Sequence, residues 1–314
     1  MSTPLIEVKN LKKYFKTPKG PLHAVYGINL SIKKGTTLGI VGESGCGKTT
    51  LGRLILRLLD VTEGEVLFKG ENILNHNKKK MHEIRPKMQL IFQDPYSSLD
   101  PRMSVEELIS EPLKIYKQYN QDKVANLMKT VGLAERYAYS YPHELDGGRR
   151  QRIGVARALA LNPDFIVCDE PVSALDVSIQ AQILNLLMDL QEQEGLTYMF
   201  ITHDLSVVKH ISHEIAVMYL GQCVEYASTS RLFKNPSHPY TQGLLEAVPI
   251  PRLTSDSEKL SQQIMMGELT SPINPKPGCR FAPRCPKATD KCKEADIPLK
   301  QIDEDHFVAC VLYD

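Results

Sequence analysis

The sequence predicts an α/β fold: a mixed sheet core with an antiparallel β part, a helical insertion, and a proline-rich, cysteine-containing extension. Three observations carry this. The apolar stretch Leu38 to Val41 reads as a strand and opens directly into Gly42-Glu43-Ser44-Gly45-Cys46-Gly47-Lys48-Thr49, with a helical pattern following at once. Phe165-Ile166-Val167-Cys168 is fully apolar, as a parallel strand buried on both faces must be, and stops on the acids Asp169 and Glu170. Beyond about Phe233 prolines recur at 236, 239, 249, 251, 272, 275, 277, 283, 286 and 298, which marks a separate, loop-rich appendage.

Composition narrows the possibilities. A chain of 314 residues exceeds a typical single domain and can bury a sizeable core. Its net charge of +1 provides no global field to gather nucleic acid or an anionic membrane surface, and Lys78-Lys79-Lys80 reads as a solvated loop. No apolar run approaches the roughly 18 residues of a membrane span. Met1-Ser2-Thr3-Pro4 leads into a strand and not a signal peptide, so a cytoplasmic protein is expected. Cys46, Cys168 and Cys223 are scattered, whereas Cys279, Cys285, Cys292 and Cys310 crowd the end of the chain; in the cytosol that suggests metal before disulfides.

The elements follow in order. Leu5, Ile6 and Val8 begin one strand, and Ile28, Leu30 and Ile32 alternate with polar residues in a second. After the glycine-rich loop, Leu51, Leu54, Ile55 and Leu58 give a helix its buried stripe, and Glu65 to Lys69 and Met88 to Phe92 read as short strands. Pro95 and Pro101 break regular structure, Ser104 with Glu107 makes a capping box, and the chain then reads as helical to about Asn162. Past the acid pair, a helix runs from about Val177 to Glu194 and stops at Gly195. Tyr198 to Thr202 is a strand ending on His203, and Ile215–Tyr219 pairs with Cys223–Tyr226 across Gly221-Gln222.

The loop Gly42 to Thr49 fits G-x-x-x-x-G-K-[ST] in the strand-loop-helix setting a phosphate nest requires. Its glycines allow positive φ, successive N–H groups turn inward, and the helix start adds its dipole. Lys48 is expected to reach β- and γ-phosphates and the Thr49 hydroxyl to ligate magnesium. In open parallel sheets ligands sit beyond the carboxyl ends of the strands, and the loop, Gln93, Asp169-Glu170 and His203 each follow a predicted strand. Asp169 would hold Mg2+, and Glu170 would act as general base or water-orienter toward a γ-phosphate.

Together these residues resemble the ATP-binding subunit of an ABC transporter: Walker A at Gly42 to Thr49, a Q-loop at Gln93, a signature-like Leu145-Asp146-Gly147-Gly148-Arg149, Walker B at Phe165 to Asp169 with Glu170, a D-loop Ser173-Ala174-Leu175-Asp176, and the switch His203. The resemblance implies an ATP hydrolase in which Gln93 also contacts magnesium and His203 positions the γ-phosphate. Gly42, Glu43, Ser44, Gly45, Cys46, Gly47, Lys48, Thr49 and Thr50 would hold ATP, with Phe15 stacking on adenine and Tyr14 as the neighbouring alternative. Residues 1–235 would form the nucleotide-binding domain, its helical subdomain about 94–163, with the extension at 236–314. Such cassettes pair head to tail, so Asp146, Gly147 and Gly148 would face the nucleotide held by another chain.

Family signatures usually read Ser-Gly-Gly-Gln, whereas here they read Asp146-Gly147-Gly148-Arg149. A carboxylate facing a γ-phosphate would weaken that site, which suggests a heterodimer with a different ATP-binding subunit. Alternatively, Asp146 turns aside or pairs with Arg149 or Arg150. Asp94-Pro95-Tyr96-Ser97-Ser98-Leu99-Asp100-Pro101, the run Asp169 to Ser178 and His238-Pro239-Tyr240 resemble the oligopeptide/dipeptide importer branch. That implies two transmembrane permease subunits, an extracytoplasmic solute-binding protein and a peripheral place on the cytoplasmic face of the membrane. Nickel complexes, glutathione and oligosaccharides remain alternative solutes. The terminal cysteines space as C-x5-C-x6-C-x17-C, which suits tetrahedral zinc or a four-iron cluster; the resemblance implies [4Fe-4S], with zinc and unmetallated thiols as alternatives. A soluble ABC-type ATPase uncoupled from transport is the rival class, against which stand the single Walker A, the lack of heptads and the balanced charge.

Overall fold

The computed structural model describes residues 3–94, 96–247 and 271–313. Pro95, Pro249 and Pro251, three of the prolines read as breaks, lie outside them, as do Met1 and Ser2. Strands β1 (Ile6–Thr17) and β2 (Gly20–Ile32) form a long antiparallel hairpin, with Ile6 opposite Ile32 and Tyr14 opposite His23. The strand thus continues through Lys12 to Phe15, where the sequence shows no alternation. β3 (Thr37–Val41) is buried at every position and feeds the glycine-rich loop. Helix α1 (Lys48–Ile55) buries Leu51, Leu54 and Ile55 but ends before Leu58, which is exposed.

β4 (Glu63–Phe68) and β5 (Glu71–Asn72) complete a four-stranded antiparallel sheet in the order β2-β1-β4-β5. Lys78, Lys79 and Lys80, expected in a loop, open α2 (Lys78–Ile84), because the Asn77 side chain caps it by accepting from the Lys80 N–H. β6 (Met88–Ile91) is followed by the helical insertion: α3 (Val105–Ile115), α4 (Gln121–Thr130) and α5 (Gly147–Leu159). The Ser104–Glu107 capping box is present in both directions.

β7 (Phe165–Asp169), α6 (Val177–Glu194), β8 (Thr197–Ile201), α7 (Leu205–Ile211), β9 (Glu214–Tyr219) and β10 (Gln222–Ser228) follow. Gly195, at φ 67, stops α6 as expected. The two-residue turn between β9 and β10 is Leu220-Gly221, one position earlier than predicted, with both residues at positive φ and Tyr219 opposite Gln222. α8 (Thr229–Lys234), α9 (Pro239–Glu246), β11 (Lys300–Asp303) and β12 (His306–Val308) end the chain.

The second sheet runs β11-β12-β10-β9-β3-β8-β7-β6. From β9 to β6 its strands are parallel, and β10, β12 and β11 continue it antiparallel. The extension is therefore not a separate appendage in its packing: β12 hydrogen-bonds to β10, and Tyr240 and Phe281 share a buried cluster with Val41, Val217 and Tyr219. Glu225 on β10 is fully buried there and accepts hydrogen bonds from the Ser237 and His238 N–H groups at 2.8 and 2.9 Å, with His306 Nε2 at 2.7 Å. Among the described residues no helix is long and apolar enough to cross a membrane.

Candidate active site

Four adjacent parallel strands, β3, β8, β7 and β6, end on the same edge, and each delivers one predicted element just past its last residue. Parallel register places Ile40 beside Ile201, Asp169 beside Ile201, and Ile91 beside Cys168, so these loops start level with one another. Gly42 and Gly47 shape the loop after β3. Their φ values of 150 and 104 disfavour side chains, and a Cβ on Gly42 would lie 2.1 Å from the Met218 carbonyl oxygen, one on Gly47 2.1 Å from that of Ala24. Gly47 also opens α1, whose first amides face the loop. Lys48 is buried, and its Nζ donates to the Gly42 and Glu43 carbonyls at 2.7 and 3.0 Å.

The Thr49 hydroxyl donates to Asp169 Oδ1 at 2.7 Å. Burial pushes the Asp169 carboxyl above its ordinary range, and the Thr49 hydrogen bond opposes the shift. Two hard oxygen donors side by side, one of them a desolvated carboxylate, suit a small divalent cation whose remaining ligands come from water or phosphate. One residue on, Glu170 sits at φ 46, a left-handed conformation rare for a side chain of its size. Its N–H donates to Ile201 O at 2.9 Å. Its carboxylate collects Gln93, whose Nε2 donates to Oε2 at 3.0 Å, and His203, whose Nδ1 lies 3.3 Å from the same oxygen. The glutamate side chain is largely covered, 15% exposed, while His203 is 58% exposed at the mouth.

The signature-like segment lies elsewhere. Asp146 caps α5, accepting from the Arg149 N–H at 2.8 Å and pairing with the Arg149 guanidinium. This is the alternative in which the carboxylate turns aside. A Cβ on Gly147 would lie 3.0 Å from the Leu175 side chain and one on Gly148 2.6 Å from that of Ile179, so packing against the D-loop and α6 also favours glycine there. Asp176 caps α6 from the neighbouring D-loop. Among the described residues no hydrogen bond or ion pair links Asp146, Gly147 or Gly148 to the phosphate loop. On the hairpin, the Tyr14 ring packs tilted against His23 with centroids 4.3 Å apart, which leaves Phe15, 37% exposed and under Lys13, as the freer ring.

The metal expected at the chain end is not supported. Among the described residues no three His, Cys, Asp or Glu side chains are arranged to hold a metal ion. Cys292 is buried, its Sγ turned to the Thr289 N–H, and burial pushes the Cys279 thiol up to about 11 and Cys285 in the same direction. Sequence reasoning also misses two residues at the loop: Tyr240 and Arg284 both bind Glu43. His238-Pro239-Tyr240 stands out in the sequence only as a signature, and nothing local marks an arginine as the partner of a residue 241 positions away.

Comparison with known proteins agrees with this geometry. The ABC transporter family pattern matches residues 25–173, and the oligopeptide/dipeptide transporter C-terminal region matches residues 224–292. The putative oligopeptide transport ATP-binding protein YkfD of Bacillus subtilis is 50% identical over 99% of this chain and 96% of its own length. The dipeptide transport ATP-binding protein DppF of Haemophilus influenzae is 47% identical over 98% of this chain and 97% of its own length. A dimeric ATP-binding cassette in a post-hydrolysis state, bound to ADP and Pi, superposes with a TM-score of 0.65 at 31% identity, covering 71% of this chain and 98% of that one.

Proposed function

This chain belongs to the ABC transporter ATP-binding proteins of the oligopeptide/dipeptide branch, and from that premise we propose that it is the ATPase subunit of a peptide importer. The observation that carries the proposed site is the meeting of Gln93 and His203 on one oxygen of Glu170, next to the Thr49–Asp169 pair and the glycine-rich loop. Amides of Ser44 to Thr50 and the Lys48 ammonium bind the phosphates, and Phe15 stacks on adenine. Thr49 and Asp169, with Gln93 as a third oxygen donor, would hold Mg2+, which would neutralise charge on the phosphate oxygens. Glu170 Oε2 takes the proton of the attacking water, with Gln93 and His203 fixing the carboxylate until γ-phosphate draws them away.

Since the signature segment makes no hydrogen bond or ion pair with its own phosphate loop among the described residues, Gly147 and Gly148 serve a nucleotide on a second ATP-binding subunit. Because Asp146 is turned to its own Arg149, its charge does not demand a different partner chain, and a second copy or a distinct ATP-binding subunit both fit this reading. The pair docks on two permease subunits at the cytoplasmic face, fed by a solute-binding protein. Glu170→Gln tests the assignment: turnover should fall by a factor of about 10² or more while MgATP still binds, and Lys48→Ala should abolish binding. Undiminished turnover in Glu170→Gln would remove Glu170 from the chemistry.

A further inference from the structure

The phosphate loop is gripped from the far end of the chain. All three polar groups of Glu43 are engaged: its N–H donates to the Tyr240 hydroxyl at 2.9 Å, its carbonyl accepts from Lys48 at 3.0 Å, and its carboxylate accepts Arg284 Nη1 at 3.0 and 2.9 Å. Arg284 is 8% exposed at its side chain and Glu43 22%, so the ion pair is largely out of water. Three residues further along the loop, the Cys46 carbonyl accepts from the Gly221 N–H at 2.8 Å. Gly221 belongs to the β9–β10 turn, whose Leu220 carbonyl is taken by Arg280.

These grips are themselves rigid. Tyr240 is fully buried, edge-on to Tyr219 at 4.7 Å and 5.4 Å from Phe281, so its hydroxyl has one place to be. Arg284 lies against the same Tyr219 and Phe281 rings, at 5.9 and 6.0 Å. With residues 43 and 46 held, the backbone between them keeps the curvature that its inward amides need, before any nucleotide arrives.

We propose that Tyr240 and Arg284 are positioning residues for the phosphate loop, so that the region beyond β10 sets the affinity of this subunit for MgATP. The inference rests on the reading that Gly42 to Thr49 binds ATP. It also gives the His238-Pro239-Tyr240 signature a physical role, since α9 starts on it and presents the hydroxyl to Glu43. Neither residue touches the reacting atoms, and their effect reaches the nucleotide only through the loop.

The test measures Kd for MgATP on the full chain and KM and kcat in the assembled transporter. Tyr240→Phe keeps the ring and removes only the hydroxyl; Arg284→Met removes the charge at similar length. Each should weaken MgATP binding and raise KM about five- to tenfold, with kcat at saturation changed less than about twofold. Arg284→Lys should recover part of the loss. In the Glu43→Gln/Arg284→Met double variant the loss should be no greater than in Arg284→Met alone. Unchanged Kd and KM in Tyr240→Phe and Arg284→Met, or additive losses in the double variant, would overturn the inference and leave a purely structural contact. If Arg284→Met does not fold, Tyr240→Phe decides. A parent chain that binds no MgATP, or a Lys48→Ala variant that binds it as tightly as the parent, would instead refute the ATP reading itself.

Discussion

Replacing Asp146 distinguishes a cap from a poison. In the structure its carboxylate holds the Arg149 N–H at 2.8 Å and pairs with the Arg149 side chain, at side-chain exposures of 55% and 41%. An ion pair that wet contributes about 0–1 kcal/mol, and an N-cap about 1 kcal/mol. Asp146→Ala should therefore cost about 1 kcal/mol and lower the melting temperature by about 1–2 °C. Asp146→Ser keeps a capping oxygen and should cost no more than about 0.5 kcal/mol. Turnover of the assembled complex separates the two readings. If the carboxylate spends its time on Arg149, Asp146→Ser turns over ATP at the parent rate; if it faces the partner's γ-phosphate, removing the like charge speeds hydrolysis severalfold. Thermal unfolding and a phosphate-release assay on the same preparations give both numbers. A faster Asp146→Ser at unchanged melting temperature would refute the capping account.

Gly47→Ala forces a Cβ to 2.1 Å from the Ala24 carbonyl at φ 104, and should cost at least about 2 kcal/mol in stability together with most MgATP affinity; an alanine variant with parent affinity would show that the loop tolerates a shifted β2. Burial holds His238 down at about 4 against its ordinary 6.5, with Glu225 pulling the other way. Between those pH values the unfolded chain binds a proton that the folded chain refuses, so this stability is complete above about pH 6.5 and is lost as pH falls toward about 4, by about 3 kcal/mol in all. Urea midpoints at pH 7 and 4.5 should lie closer together in His238→Asn than in the parent, and an equal gap in both would remove His238 as the source.

What was legible in the sequence was what lies within a few residues of itself. Gly42 to Thr49 declares a phosphate loop because strand, glycines, lysine and helix are contiguous, and Ser104 with Glu107 declares a cap for the same reason. Convergence of Gln93, Glu170 and His203 was readable because parallel strands must end on a common edge. Asp146 was legible too, as an acid at an N-cap three residues before an arginine; the family resemblance pointed it outward, and local hydrogen bonding turned it inward. Cysteine spacing fixes how far apart thiols are along the chain but not where each Sγ points, and among the described residues no three ligating side chains are arranged to hold a metal ion. The grip of Tyr240 and Arg284 on Glu43 left no trace at all, since only the fold brings residues 43 and 284 together.

The pairing of β12 with β10 has a consequence for the solubility of the subunit. Without the last strands, β10 would present Val224, Glu225 and Ala227, all buried at present, together with a row of unsatisfied amides and carbonyls. The natural border is instead β11, four residues long and carrying Lys300 and Asp303, which offers a passing chain little to zip onto. A chain cut short before residue 300 would keep the whole nucleotide loop yet expose a sticky sheet margin, and it should self-associate into aggregates while the full chain stays dispersed.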